Sequence, residues 1–303
     1  MRLVADSPKG YHQTNSKKTE VLKRQPGDKQ SMRSVITIIF LTLCGIALLP
    51  TSQAIPQGTY QVIEVRDGGA ISGTVKWSGE PVKFLTAPIT KDNEICDPEG
   101  KKSRDLERLI VGPDGGVENT VVYLTEVARG KAMDLPETRR VLDQKSCRYI
   151  PHVALVPADT EYRLKSSDPI LHTVHMEGAA DFNLPFPFQN QFIARTLHKP
   201  GVIDLKCNAG HLWMNGIVLV VRHPYYSVTD EHGEFRLTDV PPGEYQIAAW
   251  HESWKVAREE PTLDVGSQKM TKRLFFGEPV IIQKKVEVKA NAKVTVNFQL
   301  SAQ

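Results

Sequence analysis

The chain has 303 residues, 24% charged and 40% hydrophobic, with a formal net charge of +3. That positive charge is terminal: residues 1–54 carry eight Lys/Arg against three Asp/Glu, a net of +5, which leaves −2 for residues 55–303. A basic surface for nucleic acid is therefore excluded for the body of the chain.

Residues 1–31 are polar and lack hydrophobic periodicity. Met32-Arg33-Ser34 leads into Val35 through Leu49, a mostly apolar stretch, and Ser52 and Ala54 follow as small residues. A short basic lead, a short apolar core and small residues at that spacing predict a signal peptide over 32–54, cleaved after Ala54. The apolar core is shorter than the about 20 residues of a membrane span. Contact with a membrane is expected only through this segment, if it stays uncleaved. Cys44 follows Thr42-Leu43 and lacks the small residue of a lipoprotein cleavage site. A start at Met32 would give a more ordinary signal peptide and leave residues 1–31 as an extension that need not be translated. The expected location is the periplasm or the outside.

Beyond Ala54 helical periodicity is scarce. Short alternating runs between Gly and Pro turns predict an all-β chain of two β-sandwich (Greek-key) domains. Ile71-Ser72-Gly73-Thr74-Val75-Lys76 reads as a strand before a turn at Gly79-Glu80-Pro81, and Glu118 to Leu124 as another. Val202 to Cys207 alternates like a half-buried strand, whereas Gly216 to Val221 is continuously apolar, a sign of burial on both faces. Asn208 to Asn215 is then a tight loop, in which Gly210 allows an unusual φ. Around it stand Cys207, His211 and Met214. A thiolate, an imidazole and a weak thioether are the donor set of a mononuclear blue-copper site, short of one imidazole. His172 and His175 compete for that place; three apart on a strand, they face opposite sides. Further on, Asp230-Glu231-His232-Gly233 and Pro241-Pro242-Gly243 read as turns flanking short strands.

The order Cys207, His211, Met214 at the end of a strand, with a His upstream after a polar strand end, resembles the cupredoxins over residues 143–222. That resemblance implies one type 1-like copper ion held by His172, Cys207, His211 and an axial Met214. It leaves His175 as a surface or supporting imidazole and His152 as a structural one. Thr173 stands where many cupredoxins have Asn. The spacing is also similar to half of a binuclear copper loop, but Ile203 stands where the second Cys would be. Residues 226–251 resemble the carboxypeptidase regulatory-like domain, a transthyretin-like β-sandwich, whose opening strand and turn match the text at 71–81. Two layouts stay open: a regulatory-like sandwich of 60–130 and 223–303 split by the copper unit, which is preferred, or an elaborated cupredoxin with a sandwich appended.

With Cys207 on copper and Cys44 in the signal segment, Cys96 and Cys147 remain for a structural disulfide, which an oxidising compartment permits. The alternative is two unrelated buried thiols. The resemblance implies an exported copper protein passing single electrons between partner proteins, not an enzyme. A copper carrier and a copper-free binding sandwich are the rivals.

Overall fold

The computed structural model describes residues 60–80, 85–264 and 268–302. The signal segment, its cleavage point, Cys44 and Pro81 lie outside the described residues.

The fold is all-β, and almost every sheet is antiparallel in its main pairings. Residues 141–221 form two sheets. The first orders Phe192–Thr196, Glu161–Ser166, Val141–Lys145 and Arg148–Ile150; the second orders Phe182–Phe186, His172–Gly178, Gly201–Lys206, Asn215–Val221 and Val153–Pro157. Alternation sets the facing of Gly201–Lys206: Ile203 and Leu205 are buried in the core between the sheets, while Val202 and Asp204 face outward. That core includes Leu142, Tyr149, Tyr162, Leu164, Val174, Met176 and Phe186.

A second pair of sheets draws on both ends of the described chain. Val121–Leu124 pairs with Tyr226–Val228 and with Gly243–His251, which also pairs with Val280–Val288. Gly69–Ser78 pairs with Glu234–Val240, and in parallel with Lys293–Thr295 and Phe298–Ser301. Alternation in the sequence suggests closing strands at Lys285–Val288 and Lys293–Leu300; the first runs from Val280 to Val288 and the second is broken in two. The break lies at Val296 and Asn297, where the chain crosses close over Gly73. A Cβ on Gly73 would lie 1.8 Å from the Val296 carbonyl oxygen. Only glycine admits that approach.

The continuous apolar run at 216–221 has its explanation here. One face of Asn215–Val221 packs in the core between the first two sheets. On the other, Ile217, Leu219 and Val221 pack with Val153, Val121 and Trp250, the last two from the neighbouring sandwich. Two elements stand apart. Residues 85–106 form a strap containing the pair Thr86–Pro88 and Ser103–Asp105 and the short helix Asn93–Cys96; its Ile89, Cys96 and Leu106 join the first core. Val256–Asp264 and Lys269–Phe276 pair with each other and, among the described residues, with no other strand.

His223 begins the return into the second pair of sheets. It is 7% exposed, and its Nδ1 accepts from the Tyr225 N–H at 3.3 Å. Burial lowers its pKa to about 4. An unfolded His titrates near 6.5, so between those values the unfolded chain binds more protons than the native one. The stability this ring supports is complete above pH 6.5 and falls as pH drops towards 4, by at most about 1.4 kcal/mol per unit. Denaturant titrations at several pH values should show that slope in the native chain and a flatter one in His223→Phe. Identical slopes would mean that the ring is protonated without penalty.

Candidate metal centre

Cys207 follows directly on the strand Gly201–Lys206, and the loop to Asn215 turns back at once. Gly210 adopts φ +98°, which a side chain would resist. The Asn208 N–H donates to Thr173 Oγ1 at 2.6 Å, and the Met214 N–H to the His211 carbonyl at 3.0 Å. His172 opens the neighbouring strand, opposite Phe186.

Together these elements bring three donors to one point. His172 Nδ1 lies 3.2 Å from His211 Nδ1; Cys207 Sγ lies 3.5 Å from His211 Nδ1 and 3.9 Å from His172 Nδ1. A point equidistant from all three is about 2.1 Å from each, within the bond lengths of imidazole and thiolate to a first-row metal. The two imidazoles are fully buried and Cys207 nearly so. Met214 is buried in the same core as Cys207 and Trp213, and the Trp213 ring meets His211 edge-on at 5.3 Å. The donor set and its spacing therefore fit a metal ion. His175 lies off this point. It is partly exposed, facing Asn208 Nδ2 at 3.0 Å and Glu177 at 3.4 Å.

The electrostatics suit a thiolate. Burial pushes the Cys207 thiol up, but the rings of His172 and His211 outweigh it and bring its pKa down to about 5. Burial pushes His172 down, and Asp168 with the Cys207 sulfur raises it to about 9. The sulfur and the His172 ring each favour the charged form of the other.

Each imidazole is aimed by a carboxylate on its far nitrogen. His172 Nε2 lies 2.9 Å from Asp168 Oδ2, and His211 Nε2 lies 2.9 Å from Asp92 Oδ2. Such partners fix ring orientation and tautomer. Asp168 also accepts the Ser146 and Cys147 N–H groups at 2.7 and 2.8 Å. Cys147 is bonded to Cys96 in a disulfide, leaving Cys207 as the free cysteine among the described residues. The sulfurs of Cys96 and Cys147 lie within 4.8 Å of His211, so the bridge lies against the donor cluster. Ser146 and Cys147 have φ of +51° and +56°. Non-glycine residues there cost about 1–3 kcal/mol each. Besides Asp168 and the disulfide, Arg104 holds this turn: its guanidinium donates to the carbonyls of Ser146, Cys147 and, at 2.6 Å, Cys96. Tyr149 Oη lies 2.6 Å from the Thr173 carbonyl and 2.8 Å from that of Lys206, one proton shared between the residues next to His172 and Cys207.

The Thr173 N–H approaches Cys207 Sγ at 3.4 Å, and its hydroxyl secures the loop through Asn208. His152 is buried but turned to the other side of the sheet, bonded to Glu252, which pairs with Arg108 at 2.7 Å. Asp92 and Asp168 were not singled out from the sequence. Asp168 lay in the stretch leading to His172; Asp92 is 119 residues from its partner.

A model of the BOS complex subunit NOMO1-like, second beta sandwich domain, matches residues 223–274. No curated protein matches the chain. Among solved structures, a copper-containing nitrite reductase from Thermus scotoductus is 20% identical with a TM-score of 0.26, covering 32% of this chain and 25% of that one. The chain thus spans about a quarter of that protein. A purple cupredoxin from Nitrosopumilus maritimus is 22% identical with a TM-score of 0.22, covering 24% of this chain and 81% of that one. A reduced amicyanin variant is 24% identical with a TM-score of 0.24, over 27% and 80%.

Asp168→Ala removes the partner of His172 and the acceptor of the turn. Losing such a partner typically costs about 10–100-fold in metal affinity, measurable with a competing chelator. Cys147→Ser should lower stability by about 2–5 kcal/mol. Because the Cys147 N–H bonds Asp168, it should also perturb the metal-bound spectrum. A spectrum identical to the native one would detach the disulfide from the site.

Proposed function

We propose that this chain is an exported carrier of single electrons, built around one copper ion held by His172, Cys207 and His211 with Met214 in a weak axial place. The observation that supports it best is the convergence of Cys207 Sγ and two imidazole Nδ1 atoms within 3.2–3.9 Å inside a buried core. A copper ion there would supply a Cu(II)/Cu(I) couple. The residues do the rest. Asp168 and Asp92 keep the rings from turning between oxidation states. Trp213 and the strap exclude water. The Thr173 N–H stabilises negative charge on the sulfur. Met214, buried in the same core as Cys207, would offer a further weak donor and leave less room for an external substrate. The partners are other redox proteins. A copper carrier without an electron-transfer role, or a copper-free sandwich, would fail the test below in different ways.

We also infer that residues 141–221 interrupt a single regulatory-like sandwich, because Gly69–Ser78 and Val121–Leu124 find their partners in residues 226–251. Export carries its own test: N-terminal sequencing of the secreted or periplasmic protein should begin at Ile55.

The decisive measurement is an absorption and electron-resonance spectrum of the copper-loaded protein. An intense thiolate-to-copper band is expected. Cys207→Ser should abolish it and His172→Ala should strip or open the site, whereas His175→Ala should leave it nearly unchanged. Met214→Leu should keep the copper and raise the potential, since the axial donor that favours Cu(II) is gone. Tight copper binding with no reversible redox wave would indicate a carrier of metal. The absence of a band in the native protein would sink the copper reading.

A further inference from the structure

Outside the donor cluster, the most deeply buried ionic contact lies between the two sandwiches, at Glu252, the residue that follows the strand Gly243–His251. We propose that Glu252 is a positioning residue for the ligand loop, through which the neighbouring sandwich sets the place of Met214. The metal that Met214 would serve rests on the copper reading above.

Glu252 is 2% exposed, and both its oxygens are engaged. Oε1 is bonded to His152 Nε2, and Oε2 pairs with Arg108 Nη2 at 2.7 Å. Both partners grip the start of Asn215–Val221. The His152 carbonyl accepts the Ile217 N–H at 2.8 Å, and Arg108 Nη1 donates to Asn215 Oδ1 at 3.4 Å. The latter bond is long, and its weight comes from a fork that cannot turn. Arg108 Nε donates to the Ser253 carbonyl at 2.7 Å, and its plane stacks on Phe276 at 3.7 Å. Shifting any one of these groups would leave a buried charge uncompensated.

Asn215 passes the constraint into the loop. Its Nδ2 donates to the Trp213 carbonyl at 3.1 Å, closing a bridge across the backbone of Met214. Nothing else does this work on that side. Met214, Asn215, Arg108 and Glu252 line one cavity of about 760 Å³, so close packing does not back Met214 there. An ion pair that served only to join the sandwiches could end at Arg108. This one continues to the amide beside Met214.

The test follows the Met214 methyl resonance in the metal-free protein, and the thiolate-to-copper band and reduction potential in the loaded one. Arg108→Met combined with Glu252→Met removes both charges together, a change that buried pairs often tolerate. Arg108→Lys, which keeps the charge and loses the fork, serves if the double variant does not fold. Either should shift the Met214 methyl resonance and, in the loaded protein, the potential. Adding Asn215→Ala should shift the resonance no further, because coupled residues are not additive. A lowered melting temperature with a native resonance and potential would make the cluster structural only and overturn the proposal, as would an additive effect of Asn215→Ala. If the native protein shows no copper band, the copper reading fails by itself. The methyl resonance still decides the role of Glu252, and a native position in the variants overturns it.

Discussion

A single buried carboxylate governs the geometry of the donor cluster. Asp168 accepts two backbone N–H groups from the Ser146-Cys147 turn and faces the outer nitrogen of His172. Burial alone would push its pKa up; the imidazole and the two amides outweigh this and hold it low. A buried charge satisfied on three sides cannot shift without leaving a donor unpaired, a loss of about 1–3 kcal/mol or more. The ring plane of His172 is therefore fixed by the position of a turn on a neighbouring sheet. That turn is itself unfavourable, with two non-glycine residues at positive φ, and exists because carboxylate, disulfide and Arg104 all constrain it. Through the disulfide it is joined to the strap, and the strap delivers Asp92 to His211. Both imidazoles are thus aimed from one covalently linked frame.

What the sequence disclosed follows the range of the interactions. Cys207, His211 and Met214 could be read because a loop of eight residues between two paired strands leaves them no freedom to be far apart. The facing of His172 against His175 followed from strand alternation. The Cys96–Cys147 bridge came from counting thiols. Asp168 was in plain view, but an Asp before a Pro is also an ordinary turn residue, and nothing local distinguishes the two roles. Asp92 was out of reach: its meeting with His211 depends on how a strap lies across the sheet, which no short-range pattern encodes. His152 reads from the sequence as a structural imidazole, and it pairs with Glu252 of the neighbouring sandwich.

That neighbouring sandwich does more than trail behind. Asn215–Val221 leads directly out of the ligand loop, and its outer side chains are covered by Val121 and Trp250. A strand buried on both faces is among the least able to bend or fray. The loop therefore springs from a rigid base at Asn215. That side chain donates to the carbonyls of Leu106 in the strap and Trp213 in the loop. Sheet, loop and strap meet at one amide.

The metal-free cluster already has the shape that a metal requires. With the Cys207 pKa lowered and the His172 pKa raised by their proximity, the attraction between sulfur and ring is carried by a proton on His172. In the proposed function the metal would replace a proton between groups whose far sides are fixed by Asp168 and Asp92. Ligand atoms held in this way would move little on loading and little when the charge at their centre changes by one. The frame that binds the ion is thus the same frame that would keep reorganisation small during electron transfer.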